Sequence, residues 1–315
     1  MMNGRGKTIL RWLAAVFVAA VLLAALAVAW IWRNPLAVYE WTTRQELRQA
    51  GLERTEVELA GGRLVVWHGG EGPELVLLHG AGDQAGAWSK VVPGLIDDYR
   101  LLVVDLPGHG ESDPATGPLP FSTLAAGVGE LLDRREAGQP VTLVGHSMGA
   151  WLAIVYAHRH PERVARVVAV NGGPIRGEPS GINLLPADRE EARRTMAALR
   201  DPSSPALPDF VLDDMVRRTA SGPLGRLMQD LDDMERHLLD GRLGELAVPV
   251  DLVWGESDRH LPVEYARRLA SELERVRLTT VPRCGHLPAN ECPERFLEIL
   301  RRILAAGPPT SRGEP

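Results

Sequence analysis

Cysteine is nearly absent: the chain of 315 residues has two, Cys284 and Cys292. Two thiols cannot build the multi-bridged framework of a small secreted domain, so packed apolar side chains have to hold the fold. The pair is open to two readings: one bridge, if the domain lies outside the cytoplasm, or two free thiols packed near the end of the fold. Blocks of lysine and arginine are missing too, and the net charge of −6 comes from interspersed charges of both signs. A face for phosphate backbones needs clustered cations, so nucleic acid is not an expected partner. None of the nine histidines pairs with another histidine or a cysteine at the spacing of a zinc ligand set, which argues against a catalytic metal. The glycine-rich stretch after residue 78 has no lysine where a phosphate-binding loop needs one, and gives no GxGxxG fingerprint. No cofactor is expected. What remains is ample for a core: 45% of residues are apolar, with 32 glycines and 24 prolines to make turns. The length fits one or two domains.

The longest apolar run is "WLAAVFVAAVLLAALAVAWIW", residues 12–32, which is 21 residues without a charge. A helix of that length spans a hydrocarbon core of ~30 Å. Arg5, Lys7 and Arg11 precede it, which keeps its start in the cytoplasm, and Trp12, Trp30 and Trp32 stand at its ends, where indoles favour the interface. The rest of the chain would lie on the extracytoplasmic side. The small residues of "ALAVA", ending at Ala29, also suit a cleaved signal peptide, although signal cores run to only ~7–15 residues; cleavage would make the protein secreted.

Beyond a juxtamembrane linker or short helix over residues 34–52, strand and helix signals alternate. Strands are expected around the "GG" turn at Gly61 and Gly62, at Leu75 to Leu78, and in "YRLLVVDLPG", "PVTLVG" and "VARVVAVNG". Helices are expected over residues 87–98, despite Pro93, over 121–138 with Ser122 as its cap, and in "SMGAWLAIVYAHRHP". This alternation predicts an α/β fold with a mostly parallel sheet covered by helices on both faces. It breaks near Gly173. Three helical stretches follow, over 187–200, 209–220 and 225–241, and read as a cap insertion over residues 174–246. The alternation then resumes to residue 304, and residues 305–315 have the composition of a disordered tail. The expected layout is therefore 1–33 cytoplasmic stub and membrane helix, 34–52 juxtamembrane linker or helix, 53–304 α/β domain with the 174–246 insertion, and 305–315 tail.

"VTLVGHSMGA", residues 141–150, places Ser147 between two glycines after a strand and before a helix. Gly145 and Gly149 leave room for a tight strand-to-helix turn that lifts the hydroxyl above the sheet edge, where the N–H groups of the new helix favour negative charge. A serine hydroxyl needs a base, and the base needs an acid to hold its tautomer. Asp258, in "LVWGESDRHLP", and His286, in "TVPRCGHLPANECPERF", follow in the order nucleophile, acid, base, each in a loop after a strand. Glu256 is the competing acid. His260 reads as a surface residue, and His158 and His160, before Pro161, as facing solvent. Two backbone N–H groups would stabilise an oxyanion: that of Met148, after the nucleophile, and that of Ala81 in "LLHGAGDQAGAW", with His79, Gly80 and Gly82 shaping the loop and His146 beside the nucleophile.

Together "HGAG" (79–82), "DLPGHGESD" (105–113), "GHSMG" (145–149), "GHLP" (285–288) and, more loosely, "WGESD" (254–258) make the chain resemble the α/β-hydrolase superfamily. The likeness runs from about Arg54 to Leu304 and is greatest for membrane-associated bacterial esterases and lipases. It implies a triad of Ser147, Asp258 and His286, an oxyanion hole from Ala81 and Met148, and a helical cap between the sixth and seventh strands. His109 would shape the pocket rim or bond locally. Ser147 stands where dehalogenases and epoxide hydrolases carry aspartate, and the glycine loop is not the longer HGGG form. The implied activity is hydrolysis of a small ester or lipid, with no obligate protein partner. C–C bond hydrolysis, amidase, acyltransferase and cofactor-free haloperoxidase chemistry use the same residues, and a membrane-tethered, non-catalytic binding domain is the alternative outside enzymes. In the cap, Leu184, Leu185, Met196, Phe210, Met215 and Met228 would either line an apolar acyl pocket or pack the cap onto the core.

Overall fold

The computed structural model describes residues 4–135, 139–178 and 180–310, with side chains from Trp12 onward. The expectations for Arg5, Lys7 and Arg11 and for the end of the tail fall outside the described side chains and residues.

An eight-stranded sheet forms the centre. Its strands are β1 (Glu53–Leu59), β2 (Gly62–Gly69), β3 (Glu74–Leu78), β4 (Arg100–Val104), β5 (Val141–His146), β6 (Val164–Val170), β7 (Val250–Gly255) and β8 (Val276–Val281). They lie in the order β1-β2-β4-β3-β5-β6-β7-β8. β1–β2 and β2–β4 are antiparallel, and all other neighbours are parallel. The polar alternation of "ERTEVEL" suits β1 at the edge, where one face meets water. The apolar runs of β3, β5, β6 and β7 suit strands covered on both faces, and their side chains are almost all buried.

Eleven α-helices are described: α1 (Gly4–Arg33), α2 (Pro35–Gln49), α3 (Phe121–Asp133), α4 (Met148–Arg159), α5 (Arg189–Leu199), α6 (Asp209–Thr219), α7 (Pro223–Leu227), α8 (Leu231–Glu235), α9 (Val263–Glu272), α10 (Pro288–Glu291) and α11 (Pro293–Ala305). One apolar core joins α3, α4 and α9 to the sheet through residues such as Phe121, Leu152 and Leu269. The other joins α2 and α11 to it through Leu47, Phe296 and Leu300, around Trp67 and Trp88. Asp251, in β7, is fully buried between Arg166 at 2.5 Å and Arg277 at 2.6 Å, an ion cluster built into the sheet.

Several local expectations give way to tertiary context. Residues 87–98 form two 3₁₀ turns, Ala85–Trp88 and Val92–Gly94, rather than an α-helix, since Pro93 supplies no N–H to a longer ladder. Ser122 does not cap α3. Pro120 takes that position, and the Ser122 N–H donates 2.7 Å to Asp233 of α8, so the cap supplies the terminating carboxylate. The expected helix over 225–241 divides into α7 and α8, because the Asp230 side chain accepts from Asp233 N at 3.0 Å and starts a new helix. Of the two readings of Cys284 and Cys292, the structure shows the disulfide bridge. His158 is half-buried and contacts Glu245, and His160 stacks on Tyr156 with ring centroids 4.7 Å apart, so neither simply faces solvent.

α2 is not a loose stalk. Thr43 and Leu47 are buried. Gln84 donates 2.9 Å to the Thr43 hydroxyl, and the Ser89 hydroxyl donates 2.6 Å to Glu46. On the other side Leu36 N donates 3.1 Å to Asp214, and Arg218 pairs with Glu40 at 2.7 Å, both from α6. α1 is long and apolar enough to cross a membrane, and none of its most apolar stretch is buried in the protein.

Candidate active site

β5 ends at His146 and α4 begins at Met148, so Ser147 alone makes the turn, with φ 52° and ψ −115°. A positive φ at a residue with a Cβ stores strain, and here it raises the hydroxyl off the sheet edge. The Ser147 N–H is tied to Val170 O at 2.8 Å. The turn closes tightly enough that a Cβ at Gly145 would stand 2.3 Å from Gly149 O, and one at Gly149 2.3 Å from Leu78 O. Any larger residue at either position would push the elbow open.

The loop after β8 carries His286 over this serine. His286 Nε2 lies 3.1 Å from Ser147 Oγ, and its Nδ1 lies 2.7 Å from Asp258 Oδ2. Asp258 is 3% exposed and accepts further bonds at Oδ1 from His260 N and Leu261 N, both at 2.9 Å. Burial acts to raise the Asp258 carboxyl, but the His286 charge and these hydrogen bonds outweigh it and hold the group below the usual carboxylate range. Glu256 does not enter. It is exposed and bonds the Thr280 hydroxyl at 2.7 Å.

Asn171 escaped the sequence reading. Fully buried at the end of β6, it donates 2.7 Å to Asp258 Oδ2 and accepts 3.2 Å from Gly255 N. Its φ of 46° is one of the few positive values outside glycine, and the Asn-Gly pair at a strand end was the signal available in the sequence. His260 is not a surface residue. Its ring meets that of His286 edge-on, centroids 5.2 Å apart, and burial with the His286 charge pushes its pKa down to about 4.

The loop after β3 packs directly on Ser147. A Cβ at Gly80 would stand 2.9 Å from His146 Nδ1 and 3.3 Å from Ser147 Cβ. Buried His79 braces this loop, with Nδ1 2.8 Å from Gly80 O and Nε2 accepting from Leu106 N at 3.0 Å; the hydrogen-bond pattern fits the neutral Nδ1–H tautomer. Burial keeps it neutral. Ala81 follows, half-buried, and Gly82 takes a φ of 75°. Met148 is the first residue of α4, so its N–H is one of the donors a helix start leaves unpaired. His146 Nε2 lies 2.7 Å from the carbonyl oxygen of His286, and burial pushes its pKa to about 3, so a neutral imidazole holds that backbone. His109 bonds locally, Nδ1 to Pro107 O at 3.0 Å.

The cap reaches the loop after β3 through Leu224, 3.3 Å from a Cβ built on Gly82. A cavity of about 520 Å³ opens between Gly82 and Asp83, the 108–115 loop, α2 and the cap, and its walls are charged. None of the six cap residues expected to line an acyl pocket borders it. Phe210 packs against Trp32 of α1 in a tilted arrangement, centroids 4.6 Å apart. Arg226, 7% exposed, stands in the cavity wall and bonds the carbonyl oxygens of Gly117 (2.8 Å) and Pro114 (2.7 Å), with longer contacts to Gly108 and Ala115. Among the described residues no carboxylate pairs with it. Burial pushes Asp83 up to about 7, opposed by the bond from Gln84 N and assisted by Glu40 and Asp105.

Residues 75–299 match the model of the alpha/beta hydrolase family. A 2-hydroxy-6-oxononadienedioate/2-hydroxy-6-oxononatrienedioate hydrolase of Burkholderia vietnamiensis is 33% identical over 72% of this chain and 87% of its own. A pimeloyl-[acyl-carrier protein] methyl ester esterase of Methylococcus capsulatus is 31% identical over 75% of this chain and 96% of its own. Among solved structures, a membrane phospholipase A described as a novel bacterial virulence factor superposes with a TM-score of 0.74 at 24% identity, covering 93% of this chain and 98% of that one. At that identity the likeness concerns the fold.

Proposed function

Because the chain belongs to the alpha/beta hydrolase family, we propose that it is a serine hydrolase that cleaves carboxylic esters, as an esterase or lipase, through an acyl-enzyme. The observation that carries the serine-hydrolase part of this reading is the continuous line from Ser147 Oγ through His286 to Asp258, at 3.1 and 2.7 Å, which serves ester and C–C cleavage alike; the 31% identity to the methyl ester esterase favours an ester. Ser147 attacks the acyl carbonyl as His286 Nε2 takes its proton. Asp258 stays ionised, fixes the imidazole by its Nδ1–H and stabilises the imidazolium. The N–H groups of Ala81 and Met148 receive the oxyanion. His286 then protonates the leaving alcohol, and in the second half-reaction it takes a proton from water, which attacks the acyl-enzyme and frees Ser147.

A second reading keeps these residues and changes the bond broken, to C–C hydrolysis. The 33% identity to the dienedioate hydrolase favours it. So does the charged cavity beside the oxyanion loop, where Arg226 offers a buried cation to a substrate that carries carboxylates. α1 is proposed to hold the enzyme in the membrane with the catalytic domain on the extracytoplasmic side, or to be removed near Ala29 to give a secreted form. The apolar length of α1 supports the first.

Turnover of p-nitrophenyl esters of rising chain length, measured beside 2-hydroxy-6-oxononadienedioate, separates the two chemistries. Ser147→Ala should remove ~10⁴-fold or more of either activity. Ester turnover that survives this substitution sinks the proposal. A folded wild-type protein that refuses a fluorophosphonate label points instead to a binding domain.

A further inference from the structure

Residues 198–204, which end α5 and lead toward α6, run across both loops that carry the candidate acid and base. Arg259 N donates to Ala198 O at 3.1 Å, and His286 N donates to Leu199 O at 2.6 Å. The approach is close: a Cβ at Gly285 would stand 2.3 Å from Leu199 O and 2.7 Å from Arg200 Cα. Two carboxylates lock the crossing. Glu291 Oε2 accepts from Gly285 N at 2.7 Å, while its Oε1 accepts from Asp201 N and from the Ser204 hydroxyl, both at 2.5 Å. Asp201, 9% exposed, accepts from Ser203 N at 2.9 Å and from the hydroxyls of Ser203 and Ser257. Ser257 precedes Asp258, and Gly285 precedes His286. Glu291 therefore ties the cap to the base loop, and Asp201 ties it to the acid loop.

A cap that merely covers a site can be fastened anywhere on its rim. This one is fastened one residue from the acid and one residue from the base. Among the described residues neither carboxylate has an ion-pair partner within 4 Å, so hydrogen bonds hold them, with the charge of Arg295 also acting on Asp201. The Cys284–Cys292 disulfide encloses both His286 and Glu291, so the segment between the bridged cysteines is short and closed. A displacement at Glu291 cannot be absorbed by free chain before it reaches the imidazole.

We propose that Glu291 and Asp201 are positioning residues of the hydrolytic reaction, a clamp through which the seating of the cap sets the place of His286 relative to Ser147. This rests on the reading of Ser147, His286 and Asp258 as the triad. A glutamine at 291 keeps one acceptor oxygen and turns a donor toward either Gly285 N–H or Asp201 N–H, so it opens one arm of the clamp.

The test uses the full chain in detergent micelles. Active sites are titrated with a fluorophosphonate, and kcat and KM are measured for p-nitrophenyl acetate and butyrate. Glu291→Gln and Asp201→Asn should each lower kcat per titrated site by ~10–100-fold, on both esters, with KM within about twofold. The double variant should lose less than the product of the two factors, because both substitutions open one device. Arg189→Ala, which removes ion pairs to Asp209 and Asp213 within the cap, should match wild type. A role in folding alone would reduce the number of titrated sites and leave kcat per site intact. That result, or kcat per site within twofold of wild type in both single variants, overturns the clamp. If Glu291→Gln does not fold, Ser204→Ala and Ser257→Ala each remove one hydroxyl from it and should cost ~3–10-fold in kcat per site; no loss in either also overturns it. Wild-type protein that takes no label refutes the triad reading instead, a separate outcome.

Discussion

Replacing Asn171 by alanine tests how Asp258, the proposed acid, is held. Three effects add. The bond from Nδ2 to Asp258 is charge-assisted and contributes ~1.5–3 kcal/mol, and leaving Gly255 N–H buried without its acceptor costs ~1–3 kcal/mol. Alanine at a φ of 46° adds ~1 kcal/mol of backbone strain. Both hydrogen bonds belong to one side chain and relax together, so about 3 kcal/mol is the expected net destabilisation. Asn171→Gly loses the same bonds without the strain and should recover about 1 kcal/mol. Neither variant restores the anchoring of Asp258 Oδ2, the oxygen that also meets His286. Both should therefore lose kcat by about tenfold, even at temperatures where they are fully folded. Urea unfolding of the three proteins, with p-nitrophenyl ester turnover at 15 °C, reads both quantities. The reasoning fails if alanine unfolds at the wild-type urea concentration, or if glycine restores wild-type turnover.

Asp251→Ala leaves Arg166, 5% exposed, without its counter-charge and should cost ~3–5 kcal/mol in urea unfolding, with Arg277 only partly relieved; unchanged stability would show that the cluster is solvated. Asp83 gives a pH dependence. Folded, it keeps its proton to about pH 7, while the unfolded chain releases it near 3.8. The stability it contributes is complete below about pH 4 and is lost as pH rises toward 7. Asp83→Asn should thus match wild type at pH 4 and exceed it at pH 8, by about 2 kcal/mol once the ceiling set by ~1.4 kcal/mol per pKa unit is halved for partial exposure. Equal melting temperatures at pH 8 would refute this assignment.

What the sequence made legible was local. Runs such as "LVLL" and "VARVVAV" announce strands because a buried strand must be apolar on both faces. The elbow is legible because two glycines four residues apart around a serine answer to one backbone geometry. The structure places His286 within hydrogen-bond reach of both Ser147 and Asp258. What stayed hidden depends on chain segments far apart. Asn171 meets Asp258 across 87 residues, and Glu291 meets Asp201 across 90. His260 resembled a surface residue because nothing local says that the His286 ring will fold over it. The cap misled for a related reason: Phe210 has the spacing of a core residue, yet the surface it covers belongs to α1.

The docking of α2 bears on how a soluble version of this enzyme should be cut. Trimming to residue 52, where the catalytic domain was expected to begin, would strip Leu47 from beside Trp67 and Trp88 and leave an apolar trough open to aggregation. A boundary after Trp32 keeps that helix in its berth while discarding the greasy segment, and a protease acting near Ala29 would produce nearly the same product.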